Sequence, residues 1–270
     1  MAARDVAEHP SAPSLEYATL KDRLKGYVHP TCGEAVIVNH VDISRTLADL
    51  DAVEIAERSA KRGNAKDPTR SELSSMARTR TKVRRWCVHH GASRKATLTY
   101  REDELPADVD ALWESVRYFR RRLDRLQLAQ PLVVPEAGSK TGRLHLHAAF
   151  PQYVPQPVLE SVWGHGFVSI DRRKVKGQTE RQIIRRQAAY LAGYVAKLGS
   201  GSAFDLVGFN RRRYSIPKGS SPPPPVLISG ETLGDLRTQA EALCGHPLGV
   251  AWTSDSHQDW EGPRTAVLQG

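Results

Sequence analysis

Apolar and polar positions change period along the middle of the chain, and each change marks an element. From Lys95 to Tyr100 (Lys-Ala-Thr-Leu-Thr-Tyr) the pattern alternates and β-formers dominate, which predicts a strand. Asp108 to Leu128 carries Leu112, Val116, Phe119, Leu123 and Leu126 at three- and four-residue steps, the pattern of an amphipathic helix. Pro131 to Glu136 and Arg143 to Phe150 read as strands, and the Gly138-Ser-Lys-Thr-Gly142 turn between them predicts a hairpin. A short helix over Pro157 to Trp163, a strand over Gly166 to Ile170, a long helix over Glu180 to Leu198 and a last strand within Phe209 to Ile216 complete the run. The order β-α-β-β-α-β-α-β predicts an α+β fold: a central antiparallel sheet with helices packed mainly on one face.

The flanks are less regular. Residues 1 to about 26 are rich in Ala, Ser and Pro and read as loose. A helix is predicted from Ile43 to Arg62, stopped by Gly63-Asn64. The basic segment Arg78 to Arg85 is either a solvated connector or a phosphate-contacting arm. Ser220-Ser-Pro-Pro-Pro-Pro225 reads as a stiff extended linker, followed by one helix over Glu231 to Cys244. The last twenty residues show no strong pattern. Three parts follow: a mainly helical, basic N-terminal region (1–90), the central domain (91–218), and a proline linker with a C-terminal extension (219–270).

Charge narrows the partner. The 270 residues carry +9 at neutral pH, and the stretch from Asp171 to Lys218, with twelve Lys or Arg against three Asp or Glu, holds the whole imbalance. A local excess of this kind favours a polyanion, usually nucleic acid. No apolar run approaches the roughly 18 residues of a membrane span, and the N-terminal residues have no signal-peptide core, so a soluble, cytoplasmic protein is expected. Cys32, Cys87 and Cys244 share no framework spacing and fit reduced thiols. A zinc set of His29, Cys32, Cys87 and His89 can be drawn, but the reading kept is four unconnected residues. Gly138-Ser-Lys-Thr has neither the glycine spacing nor the Gly-Lys-Thr order of a phosphate-binding loop.

The candidate chemistry starts at Arg143-Leu-His-Leu-His-Ala-Ala149. In a strand, His145 and His147 point to one face and Leu146 into the core. Two imidazoles so placed can share a metal ion, although such a pair can equally be two half-buried histidines. A histidine-triad hydrolase would need a third histidine at position 149, which is Ala. Glu136 ends the preceding strand, across the hairpin, where its carboxylate can be a third ligand. Two His and one carboxylate leave open positions for a substrate oxygen, and the mixed N/O set without thiolate suits Mg²⁺ or Mn²⁺. On the long helix, Tyr190, Tyr194 and Lys197 are spaced i, i+4, i+7 and line one stripe, at the edge of the apolar stripe Ile184, Ala188, Leu191, Val195, Leu198.

At these residues the chain resembles the HUH endonucleases of rolling-circle replication initiators. The apolar-Thr strand Ala96-Thr-Leu-Thr99, the His145-Leu-His147 strand and Tyr194-Val-Ala-Lys197 on a helix match that family's three motifs in order. An extra tyrosine one turn earlier, Tyr190, is similar to the two-tyrosine branch, and the family's acidic ligand falls on Glu136. Trp163-Gly-His-Gly166 and the Arg213-Tyr214 stretch add to the likeness, which covers about Lys95 to Lys218. The first tyrosine lacks a lysine at i+3, since Gly193 stands there, so Tyr194 is the preferred nucleophile and a catalytic role for Tyr190 stays open.

The resemblance implies an RRM-like HUH domain. It implies Mg²⁺ or Mn²⁺ held by Glu136, His145 and His147, attack by Tyr194 on a scissile phosphate with Lys197 assisting, a 5′-phosphotyrosine and a free 3′-hydroxyl primer. The implied substrate is single-stranded or hairpin origin DNA of a plasmid, phage or integrative element, with host helicase and polymerase as partners. Arg143, Arg172, Arg173, Lys174, Arg211, Arg212 and Arg213 are the candidate backbone contacts, and Trp163 and Tyr214 are either stacking platforms or core. Alternatives are a two-tyrosine single-strand transposase and a non-catalytic DNA-binding regulator. Conjugative relaxases fit less well, because their tyrosine normally precedes the histidine motif.

Overall fold

The computed structural model describes residues 24–39, 68–137, 143–171, 176–197, 213–258, 260 and 262–270. The predicted helix over 43–62, the hairpin turn 138–142 and residues 209–212 of the predicted last strand lie outside the described residues. In chain order the elements are β1 (Leu24–His29), β2 (Glu34–Asn39), α1 (Pro68–His89), β3 (Arg94–Tyr100), α2 (Val109–Arg125), β4 (Leu132–Ala137) and β5 (Leu144–Phe150). There follow α3 (Gln156–Trp163), β6 (Gly166–Asp171), α4 (Glu180–Lys197), β7 (Val226–Gly230), α5 (Leu233–Cys244), β8 (Gly249–Thr253) and β9 (Thr265–Gln269).

The alternating segments of the middle region form one antiparallel sheet in the order β4-β5-β3-β6. Alternation splits its side chains between two layers. Ala96, Leu98, Leu146, Ala148, Val133 and Val168 face α2 and α3 and close the larger core with Leu112, Phe119, Leu123, Leu159 and Trp163. Leu132, Val134 and Ala149 face α1 and α4, against Val83, Trp86, Leu191 and Val195. The fold is α+β, and the expectation of helices mainly on one face is corrected: both faces are covered. The long α1, whose basic segment reads in the sequence as a connector or arm, supplies the second layer. Asp108 caps α2, its side chain accepting from the Ala111 N–H at 2.8 Å.

A second antiparallel sheet, β7-β1-β2-β9-β8, joins residues 24–39 to the C-terminal residues, with α5 packed on it. The sequence pattern predicts strands in neither place. Ser215, in the predicted last strand, makes only an isolated bridge to Val133.

The two sheets are tied at Glu34. Its buried carboxylate accepts from Arg84 Nη2 at 2.6 Å and from Arg85 Nε at 2.7 Å, both on α1, and from the Gln269 side chain at 2.9 Å. Two cations of the basic segment are thus spent inside the protein. Burial pushes the Glu34 carboxyl up, but the Arg84 and Arg85 guanidiniums outweigh it and hold the group below the usual carboxylate range. A carboxylate held below its unfolded pKa stabilises fully above that value, about 4.3, and loses its contribution as pH falls through the folded value. Glu34→Gln should therefore cost about 3 kcal/mol at pH 7, with a gap to wild type that narrows below about pH 4. Urea unfolding of both proteins at the two pH values checks this, and an equal gap at both would refute the assignment.

Candidate active site

The register brings the predicted residues onto one face. Glu136 on β4 lies directly opposite His145 on β5, and His145 and His147 lie opposite Thr99 and Thr97 on β3. The His147 Nε2–H donates to Glu136 Oε2 at 2.6 Å. The Thr97 hydroxyl is 3.2 Å from His147 Nδ1 and the Thr99 hydroxyl 3.1 Å from His145 Nδ1. The Thr-x-Thr strand is thus a matched rack for the His-x-His strand: each hydroxyl can donate or accept and fixes its ring. When Nδ1–H is given to the threonine, Nε2 keeps its lone pair for another partner.

Electrostatics keep the pair neutral. Burial is the largest effect on both imidazoles and holds them below the ordinary imidazole pKa. For His147 the Glu136 hydrogen bond opposes burial and the Lys95 charge adds to it. For His145 the Glu136 charge opposes it, while Arg143 and Lys95 add. Neutral imidazoles and a carboxylate are the donor chemistry of a divalent-ion site. The side chains are not drawn into a finished cage: among the described residues no three His, Cys, Asp or Glu are grouped closely enough to hold an ion, and this covers the His29, Cys32, Cys87, His89 set as well. The residue types and the shared face fit a metal, with the Glu136–His147 pair as the part already closed.

Above this face runs α4. Tyr194 stacks on His147, ring centroids 3.9 Å apart and planes 20° apart, and its hydroxyl donates to that of Tyr190. The two phenol rings meet edge to face at 4.8 Å. The helical pattern sets both tyrosines at the rim of the packed face. Tyr190 is half-buried, but Tyr194 is only 5% exposed, because α4 is covered both by the sheet and by α1. Its buried side is wider than one stripe, taking in Ile183, Gln187, Ala188, Leu191, Ala192, Tyr194 and Val195.

Sequence reasoning misses Lys95. It lies two residues before Thr97 on β3 and shares its face, is 5% exposed, and holds its ammonium 5.0 Å from the Tyr190 ring centre and 5.7 Å from that of Tyr194. The alternation Lys95, Thr97, Thr99 is a readable signal for that face; its burial is not. Lys197 ends α4, and its side chain is outside the described residues. Of the candidate DNA contacts, Arg172, Arg173, Lys174, Arg211 and Arg212 are likewise outside. Arg143 is exposed and donates to the Tyr100 carbonyl at 2.8 Å. Arg213 is not on the open surface: it is buried and pairs with Glu72 at 2.7 Å. Trp163 is core rather than a platform, fully buried with its indole N–H donated to the Thr99 carbonyl. Tyr214 packs half-buried against the α1–α4 layer.

Fold and site together define a class: an α+β protein in which a Glu–His–His sheet face lies beneath a helix bearing two tyrosines. Residues 93–199 match the family model of the ORF2-type replication-associated proteins, a match that supports a replication initiator protein. The match spans β3 to α4, less than half of the 270-residue chain. No curated protein and no solved structure matches the chain. Among the described residues, no helix is long and apolar enough to cross a membrane.

Proposed function

We propose that the protein nicks and joins single-stranded origin DNA through a covalent tyrosine intermediate, as an initiator of rolling-circle replication of the two-tyrosine HUH kind. The observation that carries the reading is Tyr194 stacked on His147, itself bonded to Glu136, inside the segment that matches the replication family. Glu136, His145 and His147 would hold Mg²⁺ or Mn²⁺, which when bound draws charge from the scissile phosphate.

The chain's own residues do the rest. The Tyr194 oxygen attacks phosphorus and its proton leaves along the hydrogen bond to Tyr190. The bond from phosphorus to the 3′ oxygen breaks, and that oxygen takes up a proton to become a free 3′-hydroxyl, which can prime a host polymerase behind a host helicase. The other product is a 5′-phosphotyrosine. A phenol ordinarily ionises near pH 10. The buried Lys95 ammonium beside both rings favours the charged form of either, with Lys197 as the second candidate cation. Two tyrosines within hydrogen-bond reach allow a second transfer, in which Tyr190 receives a new 5′ end while the first is rejoined. One ester is exchanged for another, so no nucleotide triphosphate is consumed.

The test is an adduct assay. Labelled single-stranded oligonucleotides tiling the replicon that encodes the chain are incubated with the protein and Mn²⁺, then run in denaturant. A band of protein–DNA adduct that needs Mn²⁺ is the expected result. Tight binding without any adduct would instead leave a non-catalytic DNA-binding regulator.

A further inference from the structure

The row of side chains that carries the histidine pair does not stop at the active site. Glu136 lies opposite His145, His145 opposite Thr99, and Thr99 opposite Phe167 on β6. Directly paired residues in a sheet point to one face, so Phe167 stands on the Glu–His–His face, two strands from His145. Strand spacing puts it about 10 Å away.

The cover of that face is uneven. α4 and α1 lie over β4 and β5 and bury Lys95 and His147. The β6 side chains of the same face, Phe167 and Ser169, are left exposed, with Thr97 and Thr99 half-buried between. Phe167 is 68% exposed, more than any other large hydrophobic side chain among the described residues. A bare phenyl ring on an edge strand is a liability unless something covers it. Gly166 keeps β6 tight to β3 at this point: a Cβ there would sit 2.2 Å from the Thr99 carbonyl oxygen. At the same end Arg143 donates to the Tyr100 carbonyl, opposite Gly166 in the pairing. One open shelf thus offers an aromatic face and a cation, and it runs into the proposed site.

We infer that Phe167 is a stacking platform for a base of the DNA strand adjoining the scissile phosphate, with Arg143 beside it for the backbone. The inference rests on the nicking reading for its substrate. An aromatic face takes any base by its π surface, and a flanking guanidinium takes the phosphate, which together hold a single strand without reading its sequence.

The test uses the full chain and a thymidine oligomer carrying one 2-aminopurine, without metal, so that binding is read apart from cleavage. Wild type should quench the fluorophore on binding. Phe167→Leu should lose the quench and weaken binding roughly 5- to 150-fold, the range for one lost base stack, and Phe167→Trp should restore both. The ring is exposed, so the thermal midpoint should not move. At saturating DNA the yield of covalent adduct should stay near wild type. Equal affinity and equal quenching in Phe167→Leu overturn the inference, as does a change in oligomeric state with DNA binding intact, which would make the shelf a protein contact. An absent adduct in wild type counts against the nicking reading alone, because the fluorescence arm does not depend on it.

Discussion

Tyr194→Phe is expected to remove the denaturant-resistant adduct, by about a thousandfold or more, as losses of a nucleophile do. The substitution is close to surgical. The ring stays, so the stack on His147 and the packing of a 5%-exposed side chain are kept. Only a hydroxyl and its bond to the half-buried Tyr190 are lost, a change of about 1 kcal/mol in stability. A protein that folds and binds DNA normally but makes no adduct would place the chemistry on that oxygen. Tyr190→Phe should keep the first adduct and reduce the second transfer, seen as less rejoined product. Peptide mapping of the wild-type adduct reads the attachment site directly. If Tyr190→Phe alone abolished the adduct, the roles of the two tyrosines would be exchanged.

How much of this is legible in the sequence depends on the range of the interactions. The central sheet and its helices follow from local periodicity: the predicted Asp108–Leu128 helix is observed as Val109–Arg125, and the predicted Arg143–Phe150 strand as Leu144–Phe150. The hairpin then forces Glu136 opposite His145, so the carboxylate partner can be read from turn length alone. The second sheet cannot. Its strands are five or six residues long and pair across the whole chain, Glu34 with Gln269 for example, and no local signal reports such a pairing.

Burial is the other blind spot. A helical wheel shows one apolar stripe and cannot know that α4 is covered on two sides, which is why it places Tyr194 at a rim. The same unseen layer buries Lys95 against the tyrosines and leaves Phe167 uncovered on one face of one sheet. Charge density misleads in a third way. The basic runs suggest a continuous DNA track, but Arg84, Arg85 and Arg213 hold Glu34 and Glu72 inside the protein.

His147→Ala should lose the dependence on Mn²⁺ together with at least about a hundredfold in adduct yield. Adduct yield alone does not separate a ligand from a prop, since the ring also supports Tyr194. Binding to the folded state does separate them. An ion held by the native protein and not by the unfolded chain raises stability as RT ln(1 + [L]/Kd), so wild type should show a thermal midpoint that climbs with Mn²⁺. His147→Ala starts lower, having removed a buried ring and left Glu136 short of its Nε2–H donor, and its midpoint should then stay flat as Mn²⁺ is added. Glu136→Gln, which keeps the volume and can still meet His147, should be nearly as stable as wild type without ion and equally flat with it. Thr97→Val should keep a reduced response, because it frees the ring without removing the donor atom. A midpoint in His147→Ala that climbs as steeply as in wild type would mean that any ion sits elsewhere, and that the histidine serves Tyr194 through the stack and the carboxylate alone.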